Sequence, residues 1–280
     1  MRPPVRSVRL GDHEIASLPD ALGSFGTFEE LYPSVPAAAW ENYRARFPSL
    51  FDGDRWVVPF ASFLLRGPGA TVLVDTGLGP DGAREPDFMP DRQGWLLDSL
   101  ADAGAGVDDI DVVFLTHHHT DHIGWNTVDG RPRFSRARYV TGTTAWEWTL
   151  ANRTEGYIRD LLVPLSDVLE LVEGGVEIAP GVTTIATPGH YPGHLSLDVE
   201  WNGARAFLLG DVAVNPAQLS DPELTYSFDR DPGEAVETRT RVLSGLAGRD
   251  TLVVCGHYPD GGIGRLVDDD GPALWTPSGN

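Results

Sequence analysis

Histidine is the residue type whose distribution stands out. Four of the eight histidines fall within Thr116-His117-His118-His119-Thr120-Asp121-His122, directly after the apolar run Asp111–Leu115. In a loop leaving a strand, alternate residues point the same way, so His117 and His119 can face one centre. Asp121 and His122 can then turn a carboxylate and an imidazole toward a second centre beside it. Neutral imidazole and carboxylate are good ligands for zinc and other divalent first-row metals. His118 lies between two candidates, and alternation points it away into a structural role. A single histidine after a strand is most often a packed one. A cluster this dense, with an aspartate inside it, is not explained that way.

A centre of two metals needs more donors than these. Three further positions offer them, each just after an apolar run: Thr187-Pro188-Gly189-His190 after Val182–Ala186, Gly210-Asp211 after Ala206–Leu209, and Gly256-His257 after Thr251–Cys255. The glycine beside each polar residue permits close backbone approach. Cys255 reads as a small buried hydrophobe rather than a ligand.

These residues must be held by regular elements, and the pattern supplies them. Further strand-like runs are Val5–Leu10, Trp56–Leu65, Thr71–Val74 and Leu195–Val199. Trp95, Leu96, Leu100 and Ala103 space as one helical face, with Gly104 as a stop. A second helix opens at Asp231-Pro232, with Ala235, Val236, Arg239, Val242 and Leu243 behind it. Asp229, Asp231 and Glu234 read as capping and solvation at its amino end. Strands alternating with helices imply a layered α/β fold. Residues from about 24 to 54 break the rhythm with Phe25, Phe28, Tyr32, Trp40, Tyr43, Phe47 and Phe51. They read as helical turns laid over the core, an amino-terminal insertion in a single domain of residues 1–280. Trp125, Trp146 and Trp148 are either ordinary core residues, the commoner outcome, or walls of an apolar pocket together with that insertion.

Composition excludes several classes. Lys+Arg total 21 against 41 Asp+Glu, a net charge of −20 that opposes nucleic acids and anionic membranes. There is no lysine, so a Walker P-loop and a pyridoxal-phosphate Schiff base are out. One cysteine excludes an internal disulfide and a CxxC pair. No leader pattern and no apolar run of membrane-spanning length is visible, and a cytoplasmic location is expected.

In order, His117-x-His119-x-Asp121-His122, Thr187-Pro188-Gly189-His190, Gly210-Asp211 and Gly256-His257 resemble the metal motifs of the metallo-β-lactamase superfamily. Val74-Asp75-Thr76-Gly77 matches the aspartate-bearing strand end that precedes them there, and the likeness spans about residues 56–260. It implies an αβ/βα four-layer sandwich, two packed β-sheets flanked by helices. It implies His117, His119 and His190 on one metal, Asp121, His122 and His257 on another, and Asp211 bridging both. Two divalent ions, zinc first, are the implied cofactors, with His194 and Asp75 orienting ligands.

Within the superfamily, branches with a cysteine ligand carry it where this chain has Asp211, and the flavodiiron branch has glutamate where this chain has His119. Glyoxalase II relatives append a helical domain, whereas about 23 residues follow His257 here. The nuclease branch needs a basic track that the net charge contradicts. The remaining likeness is to the lactonase-like and organophosphate-hydrolase-like group, which also carries an amino-terminal insertion. Its lactonases often place a tyrosine three residues after the bridging aspartate; here that residue is Val214. The implied activity is hydrolysis of an ester, lactone or thioester by metal-bound hydroxide, with Asp121 passing a proton to the leaving group. The alternatives are a mononuclear iron dioxygenase of the persulfide type and a biosynthetic thioesterase or cyclase. The expected partner is a small-molecule substrate, with an apolar tail if the aromatics wall a pocket; no nucleic acid or membrane is expected, and a homodimer is compatible.

Overall fold

Alternation along the apolar runs decides the architecture. In Val58–Gly67, Phe63 and Leu65 face one layer and Leu64 the opposite one; in Ala70–Val74, Val72 and Val74 oppose Leu73. All six are buried, so these strands need apolar cover on both faces. The computed structural model, which describes residues 2–24, 26–80, 94–153, 156–267 and 274–278, provides it with two seven-stranded sheets. Phe25 of the insertion lies outside the described residues.

The first sheet runs β1 (Arg6–Leu10), β2 (His13–Gly23), β3 (Val58–Gly67), β4 (Ala70–Val74), β5 (Val112–Leu115), β6 (Arg138–Gly142) and β7 (Leu169–Val172). The second runs β8 (Glu177–Ala179), β9 (Val182–Ala186), β10 (Leu195–Trp201), β11 (Ala204–Leu208), β12 (Thr251–Val254), β13 (Ile263–Val267) and β14 (Leu274–Pro277). Between β2 and β3 sit α1 (Phe28–Leu31), a 3-10 turn at Ala37–Trp40, α2 (Glu41–Arg46) and a short ribbon pairing Phe51–Asp52 with Arg55–Trp56. This matches the helical turns expected there.

Spatial order equals chain order in both sheets. Neighbours from β4 to β7, and β11 with β12, pair in parallel; the other neighbours are antiparallel. A parallel step needs a crossover, usually helical. Here α3 (Leu96–Asp102) precedes β5 and α4 (Thr120–Ile123) precedes β6. Likewise α5 (Thr143–Asn152) and α6 (Tyr157–Leu162) precede β7, and α7 (Ala217–Ser220) and α8 (Pro232–Leu246) precede β12.

The core follows from these faces. Between the sheets, Phe63, Val74 and Phe114 meet Leu197, Ala206 and Val254. Outside the first sheet, Leu64, Leu73 and Leu115 pack on Leu96 and Leu100 of α3 and on Leu161 and Leu162 of α6. Outside the second, Phe207 and Val253 pack with Val242 and Leu246 of α8 and with the insertion's Tyr32, Trp40 and Leu50. The result is an αβ/βα four-layer sandwich. No described helix is long and apolar enough to cross a membrane.

Candidate metal centre

The carboxyl ends of β4, β5, β9, β11 and β12 each lead into one part of a single cluster. After β5, the chain passes through Thr116 and His117 into the short turn of α4, which carries Asp121 and His122. His117 Nε2 stands 3.0 Å from His119 Nδ1, and His190 Nε2 stands 3.1 Å from the same atom. Asp211 Oδ2 lies 3.2 Å from His190 Nε2 and 3.8 Å from His117 Nε2. Its other oxygen, Oδ1, lies 3.4 Å from His122 Nε2 and 3.3 Å from His257 Nε2. Asp121 Oδ2 is 3.5 Å from both of those nitrogens.

Two donor groups therefore face each other across one carboxylate. His117, His119, His190 and Asp211 form one, and Asp121, His122 and His257 the other; within each, the donor atoms lie within 4.8 Å of one another. All seven residues singled out from sequence are brought together. His119 and Asp121 alone among them are half-buried, which puts the open side of the cluster there.

Outer contacts hold each ring. Asp75 accepts a hydrogen bond from the Thr116 N–H at 2.8 Å and faces His122 Nδ1 at 2.8 Å, from a backbone with φ of 58°. A non-glycine residue in that region is uncommon and is tolerated where surrounding bonds enforce it. His257 Nδ1 donates to the Pro59 carbonyl at 3.0 Å. The Asp211 N–H donates to His194 Nε2 at 3.0 Å, and His194 Nδ1 meets Thr187 Oγ1 at 2.8 Å. Gly210 permits that contact: a Cβ there would stand 2.5 Å from His194 Nε2, and its φ is +55°. His118 points away, held between Thr149 Oγ1 at 2.8 Å and Thr141 Oγ1 at 3.0 Å.

The protein's own charges set the protonation pattern. Burial lowers His117, with His122 adding to it, and lowers His119 to about 3, with His190 adding to it. Burial also opposes protonation of His190, but the carboxylates of Asp211 and Asp229 outweigh it and raise that ring to about 9. For Asp211 burial favours the neutral acid, yet the fields of His122 and His257 hold its carboxyl well below the usual range. His122 Nε2 and Asp211 Oδ1 are buried with no hydrogen-bond partner, although only 3.4 Å separates them. Buried polar atoms left unpaired are rare in native proteins. A divalent cation between such atoms would satisfy both, and an imidazole-rich set with two carboxylates suits zinc and its neighbours. The donor set fits the metals that the sequence implied.

Some readings change. Trp125 is buried and donates through Nε1 to Asp20 at 2.9 Å, so it packs the core rather than walling a pocket. Trp148 does border the site: it lies 5.1 Å from Tyr191, whose ring is 5.0 Å from His119. Tyr32, from residues 24–54, lies 5.3 Å from Tyr226 and 6.1 Å from Trp56, and Tyr226 lies parallel to His190 at 6.2 Å. Cys255 is buried and donates weakly to the Gly210 and Ala213 carbonyls, as a packed residue. Asp231 caps α8 as expected, accepting from the Glu234 N–H at 3.0 Å. Asp229 does not cap the helix. Its Oδ1 sits 2.9 Å from His190 Nδ1, a contact missed from sequence. One helix needs one capping side chain, so a second acid two residues ahead of Asp231 was the available signal.

Comparison with known proteins agrees with this geometry. Residues 56–257 match the family model of the metallo-beta-lactamase superfamily. The N-acyl homoserine lactonase AiiA of Bacillus thuringiensis subsp. kurstaki is 25% identical over 244 residues, covering 82% of this chain and 94% of its own. An N-acyl homoserine lactonase of Bacillus cereus is 27% identical over 245 residues, with the same coverage of 82% and 94%. Among solved structures, the hydrolase AbOPH of the beta lactamase superfamily superposes with a TM-score of 0.86 at 22% identity, covering 100% of this chain and 99% of that one. AidC, a dizinc quorum-quenching lactonase, superposes with a TM-score of 0.85 at 20% identity, covering 99% and 98%. The chain belongs to the metallo-β-lactamase superfamily, and it is a metal-dependent hydrolase.

Proposed function

We propose that this chain is a dinuclear hydrolase of an ester-type bond, with a lactone bearing an apolar acyl tail as the best-matched substrate class. His117, His119 and His190 would hold one ion, Asp121, His122 and His257 the other, and Asp211 both. The observation that carries this is the pair of donor groups facing one another across Asp211. When bound, two divalent ions, with zinc best suited to these donors, supply an activated water near neutral pH and polarise the substrate carbonyl. Curated relatives named as N-acyl homoserine lactonases favour the lactone over other ester-type substrates.

The chain's own residues do the rest. His194 orients Asp211 through its backbone N–H, and Asp75 fixes the tautomer of His122 by facing Nδ1. Asp121 opens on the half-buried side, where substrate arrives. Burial favours its neutral form, but His122 and His257 keep its pKa low. Its Oδ2 is thus an ionised acceptor that can take a proton and hand it to the departing oxygen. Half-buried Trp148 offers an apolar ring for an acyl tail, backed by buried Tyr191, while Tyr226 and Tyr32 pack behind His190. Val214, in the place of the lactonases' tyrosine, is buried and offers no hydroxyl. The whole chain reads as one domain working inside the cell, acting on a small molecule.

Metal content of protein purified without chelator tests this, followed by a panel of lactones, esters and thioesters. About two zinc ions per chain with lactone opening is the expected result. About one iron per chain with oxygen uptake on persulfides would replace this reading with the dioxygenase.

A further inference from the structure

Arg239 is the arginine that the packing cannot place on a surface. It lies mid-way along α8 and is 1% exposed, whereas the other described arginines reach solvent to a greater extent. Its guanidinium makes four hydrogen bonds. Nε donates to the Val212 carbonyl at 2.9 Å, and Nη1 donates to those of Pro222 at 2.6 Å and Leu224 at 2.9 Å. Nη2 stands 3.5 Å from Asp229 Oδ2. Asp229 is itself buried; Oδ2 also accepts from the Tyr226 N–H at 3.2 Å, and Oδ1 faces His190 Nδ1 at 2.9 Å.

This one cation therefore reaches two segments of the candidate centre. Through Val212 it holds the residue next to Asp211. Through Asp229 it holds the ring of His190, fixing the proton on Nδ1 and leaving the Nε2 lone pair for the cluster. Asp229 is fixed from three sides, by Arg239 Nη2, the Tyr226 N–H and His190 Nδ1, so the position of its carboxylate against His190 depends on Arg239. The other donor group is held differently. Asp75 faces His122 and is braced by Thr116, and the Pro59 carbonyl accepts from His257. Among the described residues no arginine bonds to either support.

We propose that Arg239, acting through Asp229 on the ring of His190, is a positioning residue chiefly for the His117/His119/His190 half of the centre, its bond to the Val212 carbonyl bearing on Asp211, which the two halves share. The inference rests on the reading of these clusters as two metal sites. It gives the two imidazole sets different supports: α8 backs His190, while the ends of β4 and β5 back His122 and β3 backs His257.

The test is a cobalt(II) titration of the metal-stripped full chain, read by visible absorption and by competition with a chelating indicator. Wild-type protein should take up two equivalents. Asp229→Asn, which keeps size and loses charge, should weaken one equivalent about 10–100-fold and leave the other unchanged. Arg239→Lys should weaken the same equivalent more than the other, because a single ammonium cannot serve Val212, Pro222, Leu224 and Asp229 together. Absorption assigned to one site should fade while the other persists, which a general loosening of the fold would not produce. Melting of the metal-free variants checks folding, and if Arg239→Lys fails to fold, Asp229→Asn decides alone. Two equivalents both unchanged, or both weakened alike, would overturn the inference. Wild-type uptake of one ion or none would instead overturn the dinuclear reading, before any variant is made.

Discussion

At the scale of single residues, the seven converging donors do not share one role. Asp121 combines an ionised carboxyl with partial exposure, while Asp211 is buried between the two donor groups. Asp121→Asn preserves shape and one acceptor oxygen but removes the proton acceptor. Turnover should fall about 10²–10⁴-fold while the metal-free protein melts as the wild type does, read by steady-state kinetics beside a thermal scan of the stripped chain. Turnover retained within that margin would remove Asp121 from the chemistry. His194 tests the layer behind. His194→Phe keeps the packed volume and leaves the Asp211 N–H without its acceptor, a cost of about 1–3 kcal/mol. Denaturant unfolding of the metal-free variant measures it, and a change near zero would show that another acceptor takes that N–H. Alternation after β5 made the facing pair His117 and His119, and the opposite direction of His118, legible from sequence. Asp229 was not legible, because two acids near a helix start look alike until the fold puts His190 beside one of them.

At the scale of elements, the loop after β4 and the short turn α4 lie back to back, and their approach sets where Asp121 and His122 stand. The Thr76 N–H donates to the His122 carbonyl at 2.7 Å, and the Gly124 N–H to the Gly77 carbonyl at 2.7 Å. A Cβ on Gly124 would stand 2.0 Å from the Leu78 carbonyl carbon, so the two backbones touch. Gly124→Ala should cost about 1–3 kcal/mol in chemical denaturation, as overpacking does, and an unaffected midpoint would mean the loop yields freely. Asp20 secures the same loop from below. Its carboxylate accepts from Leu78 N at 2.6 Å, Gly79 N at 3.2 Å, Leu96 N at 2.8 Å and Trp125 Nε1 at 2.9 Å. The strands bearing site motifs were legible because they are short apolar runs ending in glycine or a metal-binding residue type. The strand β2, which carries Asp20, was not. Glu14, Pro19 and Asp20 interrupt its apolar pattern, and only its pairing with β1 and β3 turns it into an eleven-residue strand. Strands β6, β7, β8, β13 and β14 were missed for a related reason: arginine, glutamate, threonine and proline break their apolar runs.

At the scale of the whole molecule, a net charge of −20 surrounds a centre built for cations. Metal binding to the folded chain alone stabilises it by about 2.7 kcal/mol at one hundred times the dissociation constant. Chelation should accordingly lower the melting temperature by roughly 5–10 °C, given a few degrees per kcal/mol for a chain of this size. The same charge acts on substrate and product in opposite ways. A lactone or ester is neutral and approaches without a long-range penalty, whereas its hydrolysis leaves a carboxylate that the surrounding field pushes outward. Such a field reaches roughly 30 Å at 0.01 M salt and only about 3 Å at 1 M. Raising salt across that range should therefore leave kcat/KM for a neutral ester nearly constant. It should at the same time tighten inhibition by the carboxylate product and raise kcat/KM for an ester that already carries an anionic group. Initial rates on a matched pair of neutral and anionic esters at several salt concentrations measure both effects. Parallel salt curves for the two would mean that the local charge of the loaded centre, and not the acidic surface, controls approach and release.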